Sequence, residues 1–144
     1  MRGTVTAALL VAILAPAILF AADEVSLYDN FGKPVAFIAM DDEMTVYLWT
    51  GRPVAYLINE DETVHVYGFN GSHLGWFDEG VIFTHSGQVS CAIKSRTASP
   101  KFETMKGFKQ FEPFKAYREF APGKPLFSDA FSPMSCTVHL GAGR

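Results

Sequence analysis

Apolar and polar positions follow one repeating pattern through the middle of the chain, and the pattern occurs four times. Each copy centres on a glycine, and the copies run GKPVAFI from Gly32, GRPVAYL from Gly51, GSHLGWF from Gly71 and GQVSCAI from Gly87. An aliphatic residue stands five positions before each glycine, an aromatic residue four positions before it, and a small residue four positions after it. Columns that agree across four copies indicate an internal structural repeat.

Each repeat glycine lies between two runs rich in Val, Leu, Ile and aromatic residues, which predicts a β-hairpin with the glycine in its turn. Asn70-Gly71 is the strongest of these turn motifs and predicts a two-residue loop. The stretches between copies, 41–43, 59–62 and 78–80, are polar and acidic and predict the opposite turns of a meander. The predicted fold is all-β: eight antiparallel strands in four hairpins, which lose their exposed edges most simply by closing into a barrel.

The residues that flank a two-residue turn pair across the hairpin and share a face of the sheet. This register predicts an aliphatic inner face with a ring of small residues, as a narrow barrel interior requires. Its members are Leu27, Val46, Val66, Ile82, Ala36, Ala55, Gly75, Cys91, Ile38, Leu57, Phe77 and Ile93. The other face is too aromatic to be left bare in water. Its members are Tyr28, Tyr47, Tyr67, Phe83, Trp49, Phe69, Phe37, Tyr56 and Trp76.

Residues 1–22 have the layout of a secretory signal peptide, with Arg2 ahead of an apolar run that ends in small residues. An uncleaved N-terminal anchor is the alternative, although the run is short for a spanning helix. Either alternative predicts export to the periplasm or cell envelope, with membrane anchorage if the segment is not cleaved. The rest of the chain divides into the four hairpins at 23–97 and a C-terminal tail at 98–144.

Export makes the two cysteines candidates for a disulfide. Cys91 occupies a repeat column that is otherwise filled by Ala and Gly, so its simplest role is that of a small buried residue. A bond to Cys136 is possible only if the C-terminal segment folds back onto the fourth hairpin. The spacing of the cysteines leaves this open.

The tail is rich in Lys, Phe and Pro, and aromatic residues recur in it at every third position. A period of three matches polyproline II geometry, although a short helix over 115–120 stays open. The favoured interpretation packs these aromatic side chains on the outer face of the hairpins. The alternatives are that the Lys/Phe alternation lies on an anionic membrane surface, or that the tail is disordered. The predicted interaction surface consists of Phe108, Phe111, Phe114, Tyr117, Lys109, Lys115 and Arg118.

Charge divides the chain into two parts that attract one another. Residues 23–93 contain two basic and eleven acidic side chains, whereas residues 94–144 contain nine basic and four acidic ones. Opposite charge steers the tail onto the hairpins, although single surface ion pairs add little stability. A basic tail could bind nucleic acid, but export takes it away from nucleic acid, so nucleic acid is not a predicted partner.

The sequence predicts no catalytic, cofactor-binding or metal site. The register places His65 and His85 on the outer face and His73 on the inner face, whereas a metal site needs three or four convergent ligands. His85 and Ser86 could form a base and a nucleophile, but both belong to a turn column, and no orienting group or oxyanion donor is visible. The acidic joints between hairpins lack the spacing of a calcium loop and are predicted to be solvated turns.

Three segments carry a resemblance to the four-fold β-flower domain, a small bacterial domain of four β-hairpins. They are VYLWTGRPVAYL from Val46, VYGFNGSHLGWFDEGVIF from Val66 and FKQFEPFKAYREFAPGKPLFS from Phe108, and the resemblance covers residues 25 to 132. It implies a shallow, pseudo-fourfold barrel with the tail wrapped over it, similar in plan to barrels of the Tubby C-terminal type without their central helix. It implies no activity or substrate. The fourth copy departs from the pattern at 90–92, which predicts imperfect symmetry there.

Three functions follow from these patterns. The first is a non-enzymatic binding module of the bacterial cell envelope that holds an apolar ligand, a lipid or a protein partner. The second is a purely structural scaffold. The third, favoured least, is a hydrolase-type enzyme with a site under the tail. A barrel interior filled by its own side chains would remove the small-ligand version of the first function, and tail aromatic residues buried on the hairpins would remove the membrane version.

Overall fold

The computed structural model describes Gly3 and residues 23–144, so the predicted signal segment lies outside the described residues apart from Gly3. The repeat region forms eight β-strands in four consecutive hairpins. These are β1 (Glu24–Tyr28), β2 (Pro34–Ala39), β3 (Thr45–Leu48), β4 (Pro53–Glu60), β5 (Thr63–Gly68), β6 (His73–Asp78), β7 (Val81–Phe83) and β8 (Val89–Ile93). A 3-10 turn (Lys94–Arg96) follows β8, and one short helix, α1 (Cys136–Gly141), lies near the C-terminus.

The eight strands form a closed antiparallel barrel in which each strand pairs with its neighbours in sequence, which confirms the predicted fold. Closure is made by β1 and β8, where Leu27 pairs with Ile93 and Tyr28 with Ala92. The four glycine turns meet at one end of the barrel, called the turn end below. The polar links between hairpins meet at the other end, called the joint end.

The hairpin turns have three-residue loops, so the predicted two-residue loop is wrong. In the third hairpin the N–H of Gly68 donates to the carbonyl of Ser72, and the N–H of Gly71 donates to the carbonyl of Gly68. Gly71 has a φ of 86°. A turn closed by one residue in the left-handed region is typical of this loop length and favours glycine at that position.

A β-bulge in the second strand of every hairpin offsets the extra loop residue. In the third hairpin Val66 pairs with Gly75 as predicted, but Tyr67 pairs with His73, so Leu74 is an additional residue in β6. The inner columns beyond the bulge therefore keep their predicted partners. The prediction that placed His73 on the inner face is wrong, because the bulge returns this residue to the outer face beside Tyr67.

The predicted inner face forms the main core. Its aliphatic and small columns, including Leu27, Val46, Ala55 and Cys91, have no exposed surface. Val54 and Leu74, which occupy bulge positions, add to the same cluster. The interior is filled by these side chains, so the structure gives no support to an apolar ligand inside the barrel.

Helix α1 lies at the turn end and closes the barrel mouth. Leu140 is fully buried in the main core, and Cys136 forms a disulfide with Cys91 across a Cα–Cα distance of 5.4 Å. The Oγ of Ser135 caps the helix by accepting a hydrogen bond from the N–H of Val138. The C-terminal segment therefore does fold back onto the fourth hairpin, which answers the question that the cysteine spacing left open.

Between the 3-10 turn and α1 the tail runs extended around the outside of the barrel, and its described residues form no helix over 115–120. Backbone hydrogen bonds hold it to the turns at intervals of nine residues. The N–H groups of Lys101, Gln110, Glu119 and Ser128 donate to the carbonyls of Gly32, Gly51, Gly71 and Gly87, respectively. Nine residues are three turns of polyproline II, so the tail advances one hairpin for every three of its turns.

The repeat glycines have a second role at these contacts. A Cβ on Gly51 would overlap the carbonyl oxygen of Phe108, and a Cβ on Gly71 would overlap that of Tyr117. Gly32 and Gly87 are crowded in the same way by Ser99 and Leu126. The repeat glycines therefore both close the turns and let the tail approach the barrel.

Candidate functional site

A period of three divides the tail into three faces, and each face has a different environment. The first face starts at Lys101 and lies against the turns. Four residues of this face make the backbone bonds that recur every nine residues. In addition, the N–H groups of Gly107 and Ala116 donate to the carbonyls of Trp49 and Phe69. Pro125 occupies the next equivalent position and has no N–H to donate. The tail consequently makes no such backbone contact between Glu119 and Ser128.

The second face is apolar and points away from the protein. We call it the apolar ridge. Its members are Phe102, Met105, Phe108, Phe111, Phe114, Tyr117, Phe120 and Leu126, and each is between 94% and 101% exposed. The favoured prediction, that these aromatic side chains pack on the hairpins, is therefore wrong. Gly123 occupies the remaining position and leaves a gap in the ridge between the third and fourth turns.

The third face carries most of the basic residues of the tail. These residues lie over the aromatic outer face of the barrel, which we call the aromatic wall. The Nζ of Lys115 lies 4.5 Å from the ring centre of Tyr56, and the Nζ of Lys106 lies 4.7 Å from that of Phe37. The guanidinium of Arg118 lies 5.4 Å from the ring of Tyr67. Cations over ring faces are attracted by the ring quadrupole. Cations thus cover the aromatic wall over the first three hairpins, whereas at the fourth hairpin Phe127 of the tail stacks on Phe83 with the ring centres 4.0 Å apart.

Four ion pairs confirm the predicted attraction between the tail and the hairpins. Lys106 and Lys115 lie 2.8 Å from carboxylate oxygens of Glu24 and Glu43, respectively. Lys109 pairs with Glu24 and Arg118 with Glu60 at longer distances. Of the predicted interaction surface, Lys109, Lys115 and Arg118 therefore contact the barrel, and the structure separates them from the outward-facing aromatic residues.

Acidic residues of the tail accept hydrogen bonds from hydroxyl groups of the wall. Thr45 donates to Oε1 of Glu112 over 2.7 Å, and the hydroxyl of Tyr47 donates to the same oxygen and to Asp42. Burial and these carboxylates raise the pKa of Tyr47 far above its ordinary value. At neutral pH the wall therefore carries neutral tyrosines between charged tail residues.

A second feature is a chain of three imidazoles on the outer face between the third and fourth hairpins. Nδ1 of His65 lies 2.9 Å from Nε2 of His73, and Nδ1 of His73 lies 2.9 Å from Nε2 of His85. Burial, together with the charges that His85 and His65 would carry, lowers the pKa of His73 to about 4. The ring of His73 is therefore neutral above about pH 4, so one of its nitrogens donates and the other accepts within the chain.

His73 and His85 of this chain border a cleft of about 540 Å³ at the turn end. Glu119 of the tail reaches the cleft, and its carboxylate accepts the backbone N–H of His73 over 2.7 Å. Among the described residues, no three His, Cys, Asp or Glu side chains are arranged to hold a metal ion. The sequence disfavoured His85 and Ser86 as a base and a nucleophile. In the described part of the chain the hydroxyl of Ser86 bonds to Thr84 and Gln88 and not to His85.

A buried serine–histidine pair, which the sequence analysis missed, lies between α1 and the fourth hairpin. Nε2 of His139 lies 2.6 Å from the carbonyl of Leu74, so this nitrogen must donate. Nδ1 then accepts the hydroxyl hydrogen of Ser90 over 2.7 Å. Burial lowers the pKa of His139 and keeps the ring neutral. Ser90 and His139 are only 2% and 4% exposed, so the pair satisfies two buried polar groups and fixes α1 in the barrel mouth.

The described residues include no helix that is long and apolar enough to cross a membrane.

Comparison with known proteins identifies the family of the chain. The sequence profile described as "4-fold beta flower protein" matches residues 25–140. No curated protein and no solved structure matches the chain. Because the profile covers most of the sequence, the chain belongs to the four-fold β-flower family, as the resemblance of its repeat and tail motifs indicated.

Proposed function

We propose that this β-flower protein is an exported, non-enzymatic binding module of the bacterial cell envelope, and that the apolar ridge is its binding surface. The observation that carries the proposal is the full exposure of eight large apolar side chains at regular spacing. Proteins rarely expose so many large apolar side chains in one row unless the row contacts something else. The fold does not need these side chains, because backbone bonds and cations attach the tail.

Export is supported by two independent features. Residues 1–22 have the composition of a signal peptide or anchor. The Cys91–Cys136 disulfide suits an oxidising compartment, since such bonds are rare in reducing cytosol. A purely structural scaffold would need neither an exposed ridge nor a particular compartment, so the binding module accounts for more of the chain.

The proposal is tested by fractionating bacteria that express the chain behind the host's own cleavable signal peptide. This replacement removes N-terminal anchorage as a cause of membrane association. The unaltered ridge should carry the protein into the envelope pellet, whereas F108S/F111S/F114S should release it into the soluble periplasm. The three substitutions lie at fully exposed positions and leave the fold unchanged, which thermal denaturation of the purified proteins checks. Identical fractionation of the two proteins would contradict the proposal.

One observation favours the alternative of a hydrolase-type enzyme. Ser90 donates to His139, whose other ring nitrogen donates to a carbonyl, and this is the order of nucleophile, base and orienting group in serine hydrolases. Incubation with a fluorophosphonate probe separates the two functions. A binding module remains unlabelled, whereas labelling that S90A abolishes would favour the enzyme.

A further inference from the structure

The apolar ridge is not uniform around the barrel, and its dense part coincides with a cluster of cations at the turn end. From the first turn to the third, every ridge position from Phe102 to Phe120 carries a large apolar side chain. Lys33 and Lys101 lie at the first turn, Arg52 lies at the second, and all three are exposed. Arg144 is also exposed and follows Gly143, which packs on Gly68 at the start of the third turn. We call this side of the molecule the basic sector.

The opposite side differs in both respects. Between the third and fourth turns the ridge is broken at Gly123, and the cleft with His73 and His85 lies nearby. The exposed charged residues of the tail beside the fourth turn are Lys124, whose Nζ lies 5.0 Å from the ring centre of Phe127, and Asp129, which follows Ser128. The unbroken part of the ridge therefore shares one side of the turn end with four exposed cations, whereas beside the fourth turn the tail carries one exposed charge of each sign.

We propose that the basic sector docks on an anionic lipid bilayer, with Phe108, Phe111 and Phe114 inserted among the acyl chains. This inference rests on the proposed function and names the partner of the same ridge. Lys33, Arg52 and Arg144 lie beside this part of the ridge, where they meet lipid phosphates. The acidic joint end, with residues such as Glu60, Asp61 and Glu62, then faces away from the lipid charge.

The spacing of the ridge favours lipid over a protein groove. One polyproline II turn rises about 9 Å over three residues, so neighbouring ridge side chains are separated by gaps wider than their own thickness. Each ridge residue is nearly as exposed as an isolated side chain, and fluid acyl chains can fill such gaps. A protein surface would need a matching row of separate pockets. The ridge also lacks the arginine and tryptophan that mark the centres of protein interfaces.

The cations that could attract an anionic membrane are those of the turns and not those of the Lys/Phe alternation in the tail. Lys106, Lys109, Lys115 and Arg118 are turned toward the barrel and paired with its carboxylates. They contribute little attraction to an anionic surface. Lys33, Arg52 and Arg144 belong to none of these pairs, so the lipid charge acts on the turn-end cations.

Vesicle flotation of the purified protein tests this proposal, with phosphatidylcholine alone and with added phosphatidylglycerol. The protein should float with the anionic vesicles, and F108S/F111S/F114S should weaken binding by roughly 1,000-fold, since burying each of the three phenylalanines gives about a tenfold gain. L126S is the matched control, because Leu126 is a ridge residue of equal exposure outside the basic sector, and its binding should stay unchanged.

The charge component has its own pair of variants. K33Q/R52Q should weaken binding to anionic vesicles by roughly 25-fold, since each of the two cations near the surface contributes about fivefold. This loss should shrink at high salt, which screens the cations. K94Q, an exposed cation at the joint end, should bind like the unaltered protein.

Failure of the unaltered protein to float with either vesicle would overturn the lipid proposal, as would equal losses in L126S and the triple variant. If ridge-dependent association with the envelope persisted in cells while vesicle binding was absent, the ridge would serve a protein partner. The proposed function would then stand without the lipid inference. Loss of both would remove the proposed function as well.

Discussion

The inner face of the barrel and the apolar ridge of the tail are both periodic and apolar, yet they have opposite relations to solvent. Leu27 in the first hairpin is fully buried, whereas Phe111 in the tail is fully exposed. The difference comes from what each element meets. A strand buries one face because the barrel closes around it, but over the first three hairpins the tail turns its cations toward the aromatic rings and carboxylates of the barrel and leaves its apolar face outside. Apolar periodicity therefore identifies a face without saying which way the face points.

The largest expected contrast is between one substitution in each region. Leu27→Ala should lower the free energy of unfolding by about 3 kcal/mol, since it removes buried methyl groups and leaves a cavity. Phe111→Ala should change it by no more than about 0.5 kcal/mol, because no contact is lost. Urea titrations of the two variants measure both values. A comparable loss in both would show that the ridge is packed against the protein.

The contact between the two regions is tested at a repeat glycine. Gly51→Ala should cost about 2 kcal/mol, because the new Cβ meets the carbonyl of Phe108 and the residue has a φ of 94°. Gly123→Ala is the matched control in the tail, where a Cβ would have no neighbour within 4 Å, and it should be nearly neutral. Thermal and urea denaturation give the comparison. Equal stability of the two variants would mean that the tail does not press on the turn.

Acidification should lower the free energy of unfolding through His73, which lies between the third and fourth hairpins. The folded pKa of His73, about 4, lies below the ordinary value of 6.5, so the unfolded chain binds the proton first as the pH falls. Stability from this residue is therefore present above pH 6.5 and is lost progressively toward pH 4. Urea midpoints between pH 7 and 5 should fall for the unaltered protein and fall less for His73→Asn. Parallel pH profiles would contradict the assigned pKa.

The smallest expected effect concerns the cations that attach the tail. Lys115→Met should cost about 0.5 to 1 kcal/mol, since it removes the ring contact with Tyr56 and a partly exposed ion pair with Glu43. Lys94→Met should be neutral, because Lys94 forms neither type of contact among the described residues. Denaturation in low and high salt measures the difference. A loss above 2 kcal/mol would mean that the cations contribute more to tail attachment than the backbone bonds.

The sequence was sufficient to predict the barrel because its glycine columns repeat with constant offsets. It was insufficient to place His73. The three-residue loop shifts the pairing of the strands by one residue, and the bulge at Leu74 restores the predicted pairing from Gly75 onward, so only the residues between the loop and the bulge depart from the predicted register. The direction of the tail aromatics was also wrong, because a period of three defines three faces and does not assign them. A signal for the tail was present: KFETMKGFK, QFEPFKAYR and EFAPGKPLF form a nine-residue repeat from Lys101 that matches the hairpin step. The disulfide and the Ser90–His139 pair depend on a return of the chain that spacing does not encode.

The outward orientation of the ridge is tested most directly by fluorine NMR of the protein labelled with fluorophenylalanine, in the presence of a soluble paramagnetic relaxation agent. Single Phe→Leu variants assign the resonances. Phe108, Phe111 and Phe114 should relax strongly, whereas Phe37, Phe69 and Phe83 in the barrel wall should be protected, since they are buried. Equal protection of the ridge and wall phenylalanines would show that the tail packs its aromatic face inward and would contradict the account.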